Sequence, residues 1–418
     1  MLKKSFTIII IQAFGAALGL ITVYFSAGDM APEVYSLVGV YNIITSIVLT
    51  FSDLGIETTM MREALYWVKQ GDEERVKEHT TQALLSRFMA FIILLPILGG
   101  YLGYLNIAKY NGQYTALLIT FLIGGGIGGL NNAMSLIVRS QGGYVFSQFV
   151  STLNNYVIKF VGLGLYFSMG QTVYLFFYGL SSIPLLIVYL IKIRKYISFE
   201  YINVKEAFKK IIKARYLWLK TDLDYLKNNA DSILVSALFP ASIMGSYSIF
   251  KTLEQLSKNI IEGFFDVQSQ NTVKHKGNEK KLLEYEKKIK KMQSAFIVLI
   301  ILGMGIFLLD ADFWINLVHL NKYEGIKIMI ITIGIISILH LIGKYEINAL
   351  AFFASSKLNF WMGVGIFAAT LFSFLWAFMF RNIEGMMLQR ITVYAVQSFV
   401  AIGLFKKGKK IYYTQVLG

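Results

Sequence analysis

The segment FPASIMGSYSIFKTLEQLSK (residues 239–258) echoes, at low identity, an earlier segment of the same chain, FSAGDMAPEVYSLVGVYNIITS (residues 25–46). Aligning Tyr247 with Tyr35 places the two copies 212 residues apart (247 minus 35), which is about half of the 418-residue chain. An internal repeat at this spacing predicts two halves with the same architecture.

The second copy, continued to Asp266, carries charges on one side of an apolar helix. At about 100° per residue the charged positions fall within an arc of roughly 120°, and large apolar residues occupy the other side. The charged residues are Lys251, Glu254, Lys258 and Glu262. The repeat matches them to uncharged residues of the first copy, Gly39, Asn42, Ser46 and Thr50. The same helix is therefore predicted to be charged in one half and neutral in the other.

The composition excludes an ordinary soluble domain, because hydrophobic residues make up 56% of the chain and only four residues are proline. Apolar runs of about 20 residues, each long enough to cross a hydrocarbon core, recur from end to end. They predict twelve spans, near residues 5–27, 35–57, 83–105, 114–138, 146–168, 172–193, 222–241, 245–266, 293–311, 326–348, 359–380 and 386–405. The fold class is therefore an all-α polytopic membrane protein. We predict an N-terminal half of residues 1–200, a connector of residues 201–221 and a C-terminal half of residues 222–418.

The net charge of +15 has a one-sided distribution. About 30 of the 40 Lys and Arg residues fall in segments that the twelve-span topology places inside. This positive-inside pattern predicts that both termini are cytoplasmic, and it argues against nucleic acid as a partner. The connector contains NVKEAFKKIIKARYLWLK (residues 203–220), which predicts a basic amphipathic helix on an anionic membrane surface.

The sequence contains little of the chemistry that an enzyme needs. The absence of cysteine excludes disulfides, a thiolate nucleophile and Cys-bearing metal sites, and the four histidines show no metal-ligand spacing. The run GGGIGG (residues 124–129) matches a dinucleotide motif but lies inside an apolar span with no strand before it. Close helix packing is the favoured interpretation of this run. We therefore expect no cofactor and no enzymatic activity.

A charge at mid-bilayer costs from about 2.5 kcal/mol upward and usually faces a bundle interior or a water-filled cavity. The charged face of the second repeat therefore favours a hydrated substrate pathway. The alternative is a structural ladder, since Glu254–Lys258 and Lys258–Glu262 are both i, i+4 pairs. Buried ion pairs are weak evidence for stability, so the pathway is preferred.

Other polar residues within the spans extend this lumen set, namely Asn155 and Lys159 in span five and His340 and Lys344 in span ten. Lys344 has the alternative of snorkelling to the inner interface, and Arg390 is expected to snorkel outward. A second set is assigned to a cytoplasmic gate or to ion pairs at the lobe ends, namely Asp53, Glu57, Arg62 and Asp231.

The segment MAPEVYSLVGVYNIITSIVLTFSDLGIETTMMREA (residues 30–64) resembles the start of bacterial polysaccharide (O-antigen type) flippases. These belong to the multidrug/oligosaccharidyl-lipid/polysaccharide exporter superfamily. The resemblance is carried by a Pro-Glu turn with Tyr35, a long second span, Asp53-Leu54-Gly55 and Arg62-Glu63. The second-half counterpart, NNADSILVSALFPASIMGSYSIFKTLEQL (residues 228–256), contains Asp231 and Tyr247 at the corresponding places.

The resemblance implies about 12 transmembrane helices in two pseudo-symmetric six-helix lobes around a central cavity that opens alternately to either side. The implied cargo is a glycan on a polyprenyl diphosphate, whose phosphates Lys159, Lys251 and Lys258 could bind. Relatives often carry a basic residue in the first span, whereas span one here has no ionisable group. Recognition by charge is therefore expected to rest mostly on the C-terminal lobe.

Two other functions are weighed against the flippase. A cation-coupled multidrug exporter of the same superfamily needs an acidic residue in the N-terminal spans, where only Asp53 and Glu57 qualify. A membrane-embedded glycosyl- or acyltransferase needs a large outer loop or a histidine-centred motif, which the sequence lacks. The expected partners are the lipid-linked glycan, membrane lipids, and a polysaccharide polymerase with its chain-length machinery. The expected location is the bacterial cytoplasmic (inner) membrane.

Overall fold

The structure is a computed structural model that describes residues 2–53, 66–68, 70–213, 215–275, 278–353 and 356–416. All regular elements in these ranges are helices. The helices of the N-terminal half are α1 Leu2–Asp29, α2 Pro32–Phe51, α3 Glu73–Tyr110, α4 Thr115–Ser140, α5 Tyr144–Thr152, α6 Ile158–Met169, α7 Gln171–Leu180 and α8 Ile183–Ile193. A π-helical turn, Leu153–Val157, joins α5 to α6, and two 3₁₀ turns, Arg194–Tyr196 and Phe199–Tyr201, follow α8.

The second half begins with a short helix, α9 Val204–Lys213, in the predicted connector. The remaining helices are α10 Arg215–Leu238, α11 Ala241–His275, α12 Glu279–Leu309, α13 Ala311–Leu317, α14 Ile326–Phe353, α15 Ser356–Phe380 and α16 Ile383–Val416. Each of the twelve predicted spans overlaps one of the long helical segments, with α5–α6 and α7–α8 each forming one segment. The boundaries predicted for the halves and the connector remain a prediction.

Eight helical segments in the described part of the chain are long and apolar enough to cross a membrane. They are Pro32–Phe51, Glu73–Tyr110, Thr115–Ser140, Gln171–Tyr196, Glu279–Leu309, Ile326–Leu350, Trp361–Phe380 and Ile383–Thr414. Helix α1 adds a shorter apolar stretch, Ala13–Asp29. The protein is thus an all-α, multi-pass membrane protein, as the apolar runs predicted.

Local sequence signals set several helix boundaries. Helix α2 begins with Pro32, whose missing N–H costs nothing in a first helical turn. The Asp72 side chain caps α3 by accepting a hydrogen bond from the Arg75 N–H at 3.1 Å. Asn111 ends α3 in the left-handed conformation, with φ of 51°. Gly170, with φ of 88°, makes the reversal between α6 and α7.

The glycine run of α4 packs against its neighbours, which confirms the packing interpretation. A Cβ at Gly124 would overlap the carbonyl of Gly179 in α7, and one at Gly126 would overlap the Phe91 ring of α3. Small residues here let the helix backbones approach closely.

The two repeat helices, α2 and α11, pack directly against each other at the centre of the molecule. A Cβ at Gly39 of α2 would overlap the Ser248 hydroxyl of α11, and one at Gly245 of α11 would overlap the Pro32 backbone. A hydrophobic core joins both halves around this contact, with Leu37 and Val40 from α2 and Phe250 from α11 fully buried.

At the end of the molecule where α1 joins α2, which we call the closed end, polar contacts tie the halves together. The Tyr323 hydroxyl donates to the carbonyls of Ala27 (2.9 Å) and Met30 (3.2 Å). Lys322 Nζ donates to the Gly28 carbonyl at 2.7 Å. These donors satisfy carbonyls at the C-terminus of α1, which have no partner within the helix.

Candidate transport cavity

A cavity of about 540 Å³ lies between the halves. Its walls come from α1, α2 and α4–α8 of the first half and from α10 and α11 of the second. It extends from Tyr35 and Tyr174, near the closed end, to Arg139 in the last turn of α4. Arg139 is held by a hydrogen bond from its Nε to the Ser147 hydroxyl at 2.8 Å. Among the described residues that line the cavity, none is Asp or Glu, and the basic ones are Arg139, Lys159 and Lys251.

The rest of the lining is rich in amides and phenols. The asparagines are Asn42, Asn131, Asn132, Asn154, Asn155 and Asn229. The tyrosines are Tyr35, Tyr41, Tyr156, Tyr174, Tyr178, Tyr189 and Tyr247. Amides and hydroxyls donate and accept hydrogen bonds, and the aromatic rings add apolar faces. Such a wall suits a ligand that carries many hydroxyl groups together with negative charge.

Lys159 lies in the middle of the first-half wall. Its Nζ donates to the Tyr178 hydroxyl at 2.9 Å and sits 4.2 Å from the centroid of that ring. The Tyr178 hydroxyl donates in turn to Asn42 Oδ1 at 3.5 Å. The neighbours thus fix the position of the ammonium without supplying a negative charge, and two of its donor hydrogens remain for other acceptors.

The π-helical turn immediately before Lys159 contains Asn154 and Asn155, both of which line the cavity. A π-helical turn inserts one residue into an α-helix and is frequent at functional sites. Tyr156 of the same turn packs against α1, where a Cβ at Gly15 or Gly19 would meet its ring. The inserted residue therefore shapes the wall in which Asn155 and Lys159 lie.

Lys251 is the cavity lysine of the second half, and it also contacts buried carboxylates. Its Nζ lies 3.3 Å from Asp231 Oδ2 of α10 and 3.5 Å from Glu254 Oε2 of α11. Its side chain keeps 21% of its surface exposed, whereas Asp231 and Glu254 are each only 1% exposed. Lys251 thus borders both the cavity and the interior of the second half.

Behind Lys251 lies a buried group of opposite charges, which we call the charged cluster: Asp231, Glu254, Lys258 and Arg390. Arg390 of α16 is fully buried and contacts Asp231 Oδ2 at 3.1 Å and, through its other terminal nitrogen, Glu254 Oε1. Lys258 Nζ lies 2.8 Å from Glu254 Oε1, and the Tyr394 hydroxyl donates to the same oxygen at 2.8 Å. The cluster therefore ties α10, α11 and α16 together.

Several predicted positions differ from those observed. Arg390 does not snorkel outward, because two buried carboxylates hold it inside the second half. Asp231 does not lie at a lobe end, since it occupies the middle of α10 within the charged cluster. Glu254 and Lys258 do not line the described cavity; their i, i+4 contact belongs to the charged cluster.

His340 and Lys344 of α14 are buried and do not line this cavity. The His340 ring meets the Tyr394 ring edge-on at 5.9 Å, which places it beside the charged cluster. Lys344 is only 9% exposed, which argues against snorkelling.

Asp53 pairs with a residue that the sequence did not suggest, Arg87 of α3, at 3.5 Å. Arg87 also donates to the Leu49 carbonyl at 2.6 Å, so this ion pair fixes the end of α2 on α3. Glu57 and Arg62 lie outside the described residues, as does the side chain of Glu262.

The missing basic residue in span one suggested that the charges for recognition lie mostly in the second half, but the cations of the cavity are distributed differently. Two of the three cavity cations, Arg139 and Lys159, belong to the first half. Sequence reasoning missed Arg139 because a basic residue in the last turn of a helix matches the positive-inside pattern equally well. It missed the tyrosines because aromatic residues are abundant throughout this chain, at 15%.

No protein-family model matches the sequence, and no curated protein does. Solved structures match over nearly the whole chain. The inward-facing conformation of a multidrug resistance MATE family transporter of the MOP superfamily superposes with a TM-score of 0.72 at 14% identity, covering 97% of this chain and 98% of that one. The outward-facing conformation of a MATE family transporter of that superfamily gives 0.60 at 15% identity, covering 97% and 96%.

A third similar structure is a MOP superfamily transporter from Pyrococcus furiosus, for which reverse polarity of the binding pocket suggests a different function. It superposes with a TM-score of 0.58 at 13% identity and covers 97% of this chain and 95% of that one. At these identities the likeness establishes the fold. The chain therefore has the two-lobed, all-helical fold of MATE family transporters of the MOP superfamily.

Proposed function

We propose that this protein is a flippase that moves a polyprenyl-diphosphate-linked oligosaccharide across the membrane by alternating access. The observation that carries the proposal is the charge of the cavity. Three cations and no described carboxylate line it, in a setting where water is limited and charge interactions are strong. Such a cavity attracts anions and repels cations.

The charge balance of the second half strengthens this argument. Asp231 and Glu254 together carry two negative charges, and Lys258 and Arg390 carry two positive ones. The charged cluster has no net charge without Lys251. Lys251, which contacts Asp231 at 3.3 Å and Glu254 at 3.5 Å, therefore adds one net positive charge at the cavity wall. An anionic cargo would balance that net charge.

Lys159 and Lys251 also lie at similar distances along their helices from the closed end. Lys251 is ten residues from Ala241 (251 minus 241), and Lys159 is ten residues from Met169 (169 minus 159). At 1.5 Å per residue this is about 15 Å along each helix. Two ammonium groups, one from each half, are suited to the two phosphates of a diphosphate. The asparagines and tyrosines nearer the other end are suited to sugars.

The runner-up, a cation-coupled multidrug exporter, has less support from the cavity. An organic cation would have to enter a site with three positive side chains and no described acidic one. The nearest carboxylates, Asp231 and Glu254, are already held by Arg390. A membrane-embedded transferase has the least support, because the described lining of the cavity includes no His, Asp or Glu that could act as a general base.

The test is binding of geranyl diphosphate, a short soluble polyprenyl diphosphate, to the purified protein by calorimetry. Losing a charge-assisted hydrogen bond costs about 1.5–3 kcal/mol, so Lys159→Gln and Lys251→Gln should each weaken binding about tenfold or more. The matched control is Lys327→Gln, at an exposed lysine that pairs with Asp312 at 3.8 Å, outside the cavity. Tight binding of tetraphenylphosphonium with no competition from geranyl diphosphate would favour the multidrug alternative.

The proposed setting is the bacterial cytoplasmic membrane, with both termini inside, which the distribution of Lys and Arg supports. The cysteine-free chain allows a direct test with an impermeant thiol reagent on intact cells. Gln113→Cys, exposed between α3 and α4, should be labelled, whereas Lys280→Cys, exposed at the start of α12, should be labelled only after lysis. The opposite pattern would invert the topology.

A further inference from the structure

The segment from the last two residues of α8 to the end of α9, residues 192–213, lies where the apolar surface of the protein ends. Helix α8 exposes Ile187 and Ile191, and the basic residue Lys192 follows at once. Apolar side chains exposed along a spanning helix face lipid, and basic residues mark the start of the headgroup region. The segment therefore begins at the boundary between hydrocarbon and headgroups.

The segment is bound to α3 of the first half close to this boundary between hydrocarbon and headgroups. Gln82 Nε2 of α3 donates to the Tyr201 carbonyl, and the Ser198 N–H donates to the Thr81 hydroxyl at 3.0 Å. Ala207 of α9 is fully buried. Thr81 lies seven residues before Phe88 (88 minus 81), the first exposed large apolar residue of α3, which is about 10 Å along the helix axis. Helix α9 thus has a defined place and is not a loose linker.

The surface that faces away from α3 is both apolar and basic. Its exposed apolar side chains are Phe199, Ile202, Val204, Phe208 and Ile212, and Phe199 is 88% exposed. Its exposed basic side chains are Lys192, Arg194, Lys195, Lys205 and Lys209. The described acidic residues of the segment are Glu200 and Glu206, and Glu206 pairs with Lys209 at 2.7 Å. Among the side chains whose exposure the structure describes, five positive and two negative charges leave an excess of three positive charges beside five exposed apolar side chains.

We propose that this surface, residues 192–213, is a docking site for anionic phospholipid headgroups. The apolar side chains enter the headgroup–acyl boundary and the basic ones bind lipid phosphates, as in amphipathic segments that lie in a membrane surface. Each basic residue near an anionic leaflet adds to the electrostatic attraction. Because the segment is bound to α3 and precedes α10, lipid binding would hold the first half at the leaflet while the second half moves.

The test uses the full-length protein with a single Phe199→Cys, labelled with the polarity-sensitive fluorophore NBD, in lipid nanodiscs. In discs with phosphatidylglycerol we expect a blue-shifted emission that doxyl-labelled lipids quench. In pure phosphatidylcholine both effects should be smaller, and added salt should reduce the difference by shortening the Debye length. The double variant Lys205→Gln with Lys209→Gln should remove most of the dependence on phosphatidylglycerol.

The control is Gln113→Cys with the same label, which is exposed at the opposite end of α3 and far from residues 192–213. Its emission should not respond to Lys205→Gln with Lys209→Gln. Water-like, unquenched emission from position 199 in both kinds of disc would overturn the proposal. So would inorganic phosphate that reproduces the shift in phosphatidylcholine discs, because the site would then bind free phosphate and not headgroups.

Discussion

Helices α2 and α11 contain the two segments that the sequence aligns as a repeat. They meet at the centre of the molecule, and they differ in charge. The first copy has no charged side chain along its cavity face, where Asn42 and Ser46 lie. The second copy carries Lys251, Glu254 and Lys258, but only Lys251 reaches the cavity. Glu254 and Lys258 turn into the second half, where Arg390 completes a neutral cluster.

The comparison shows that a charged residue on a helix face does not necessarily contribute its charge to the cavity that the helix borders. The first half has a neutral repeat helix, yet it supplies Arg139 and Lys159 to the cavity from other helices. The second half has a charged repeat helix, yet it neutralises most of that charge internally. The cavity is cationic because its described lining includes Arg139, Lys159 and Lys251 and no carboxylate.

The largest effect should come from locking the two halves together at the closed end. A Cβ built at Gly28 lies 3.5 Å from the His319 Cβ, within the usual separation for a disulfide. Gly28→Cys with His319→Cys should therefore crosslink on mild oxidation and abolish polysaccharide export, with recovery after reduction. Either single variant under the same oxidation serves as the control. Normal export by the fully crosslinked protein would mean that the closed end does not open during transport.

The next effect concerns the charged cluster. Arg390→Met removes the buried cation that contacts both carboxylates, so we expect the free energy of unfolding to fall by about 3–5 kcal/mol. Thermal denaturation in detergent would measure the loss, and Glu254→Gln in the same chain should restore part of it. If the two changes are simply additive, Arg390 and Glu254 are not coupled and the cluster is not a unit.

A smaller effect separates the cavity face of α2 from a lipid-facing surface. Ile97→Lys, at a residue of α3 that is 67% exposed, should cost about 2.5–3.5 kcal/mol on insertion and lower the amount of protein. Ser46→Lys, the repeat counterpart of Lys258, should accumulate normally and change geranyl diphosphate binding. If both variant proteins accumulate to equally low amounts, Ser46 faces lipid and not the water-filled cavity.

The smallest effect distinguishes the two lysines of α11. Lys258→Gln should lower stability by about 1.5–3 kcal/mol, because the contact with Glu254 is lost, and leave geranyl diphosphate binding unchanged. Lys251→Gln should weaken geranyl diphosphate binding and, because the contacts with Asp231 and Glu254 are lost, should lower stability as well. A binding defect in Lys258→Gln, with stability intact, would restore the original hypothesis that the whole charged face contacts cargo.

Sequence patterns were sufficient to predict the helices. Apolar runs of bilayer length leave a chain little choice but a helix, since backbone groups in lipid must bond within the segment. Asn42 and Ser46, which the proposed repeat places on one face of α2, both line the cavity, because spacing along a helix fixes direction around its axis. The match between α2 and α11 as repeat counterparts remains a prediction.

The sequence by itself determined an all-helical membrane protein of two related halves, with costly charges inside its spans. Only the tertiary structure decided where those charges go. Asp231 and Arg390 are 159 positions apart (390 minus 231), and no local pattern indicates that they meet at 3.1 Å. Likewise, Asp53 pairs with Arg87, 34 positions away (87 minus 53), and no local pattern indicates this contact. Whether a buried charge is compensated depends on which helices pack beside it, and that is settled by side chains from distant parts of the chain.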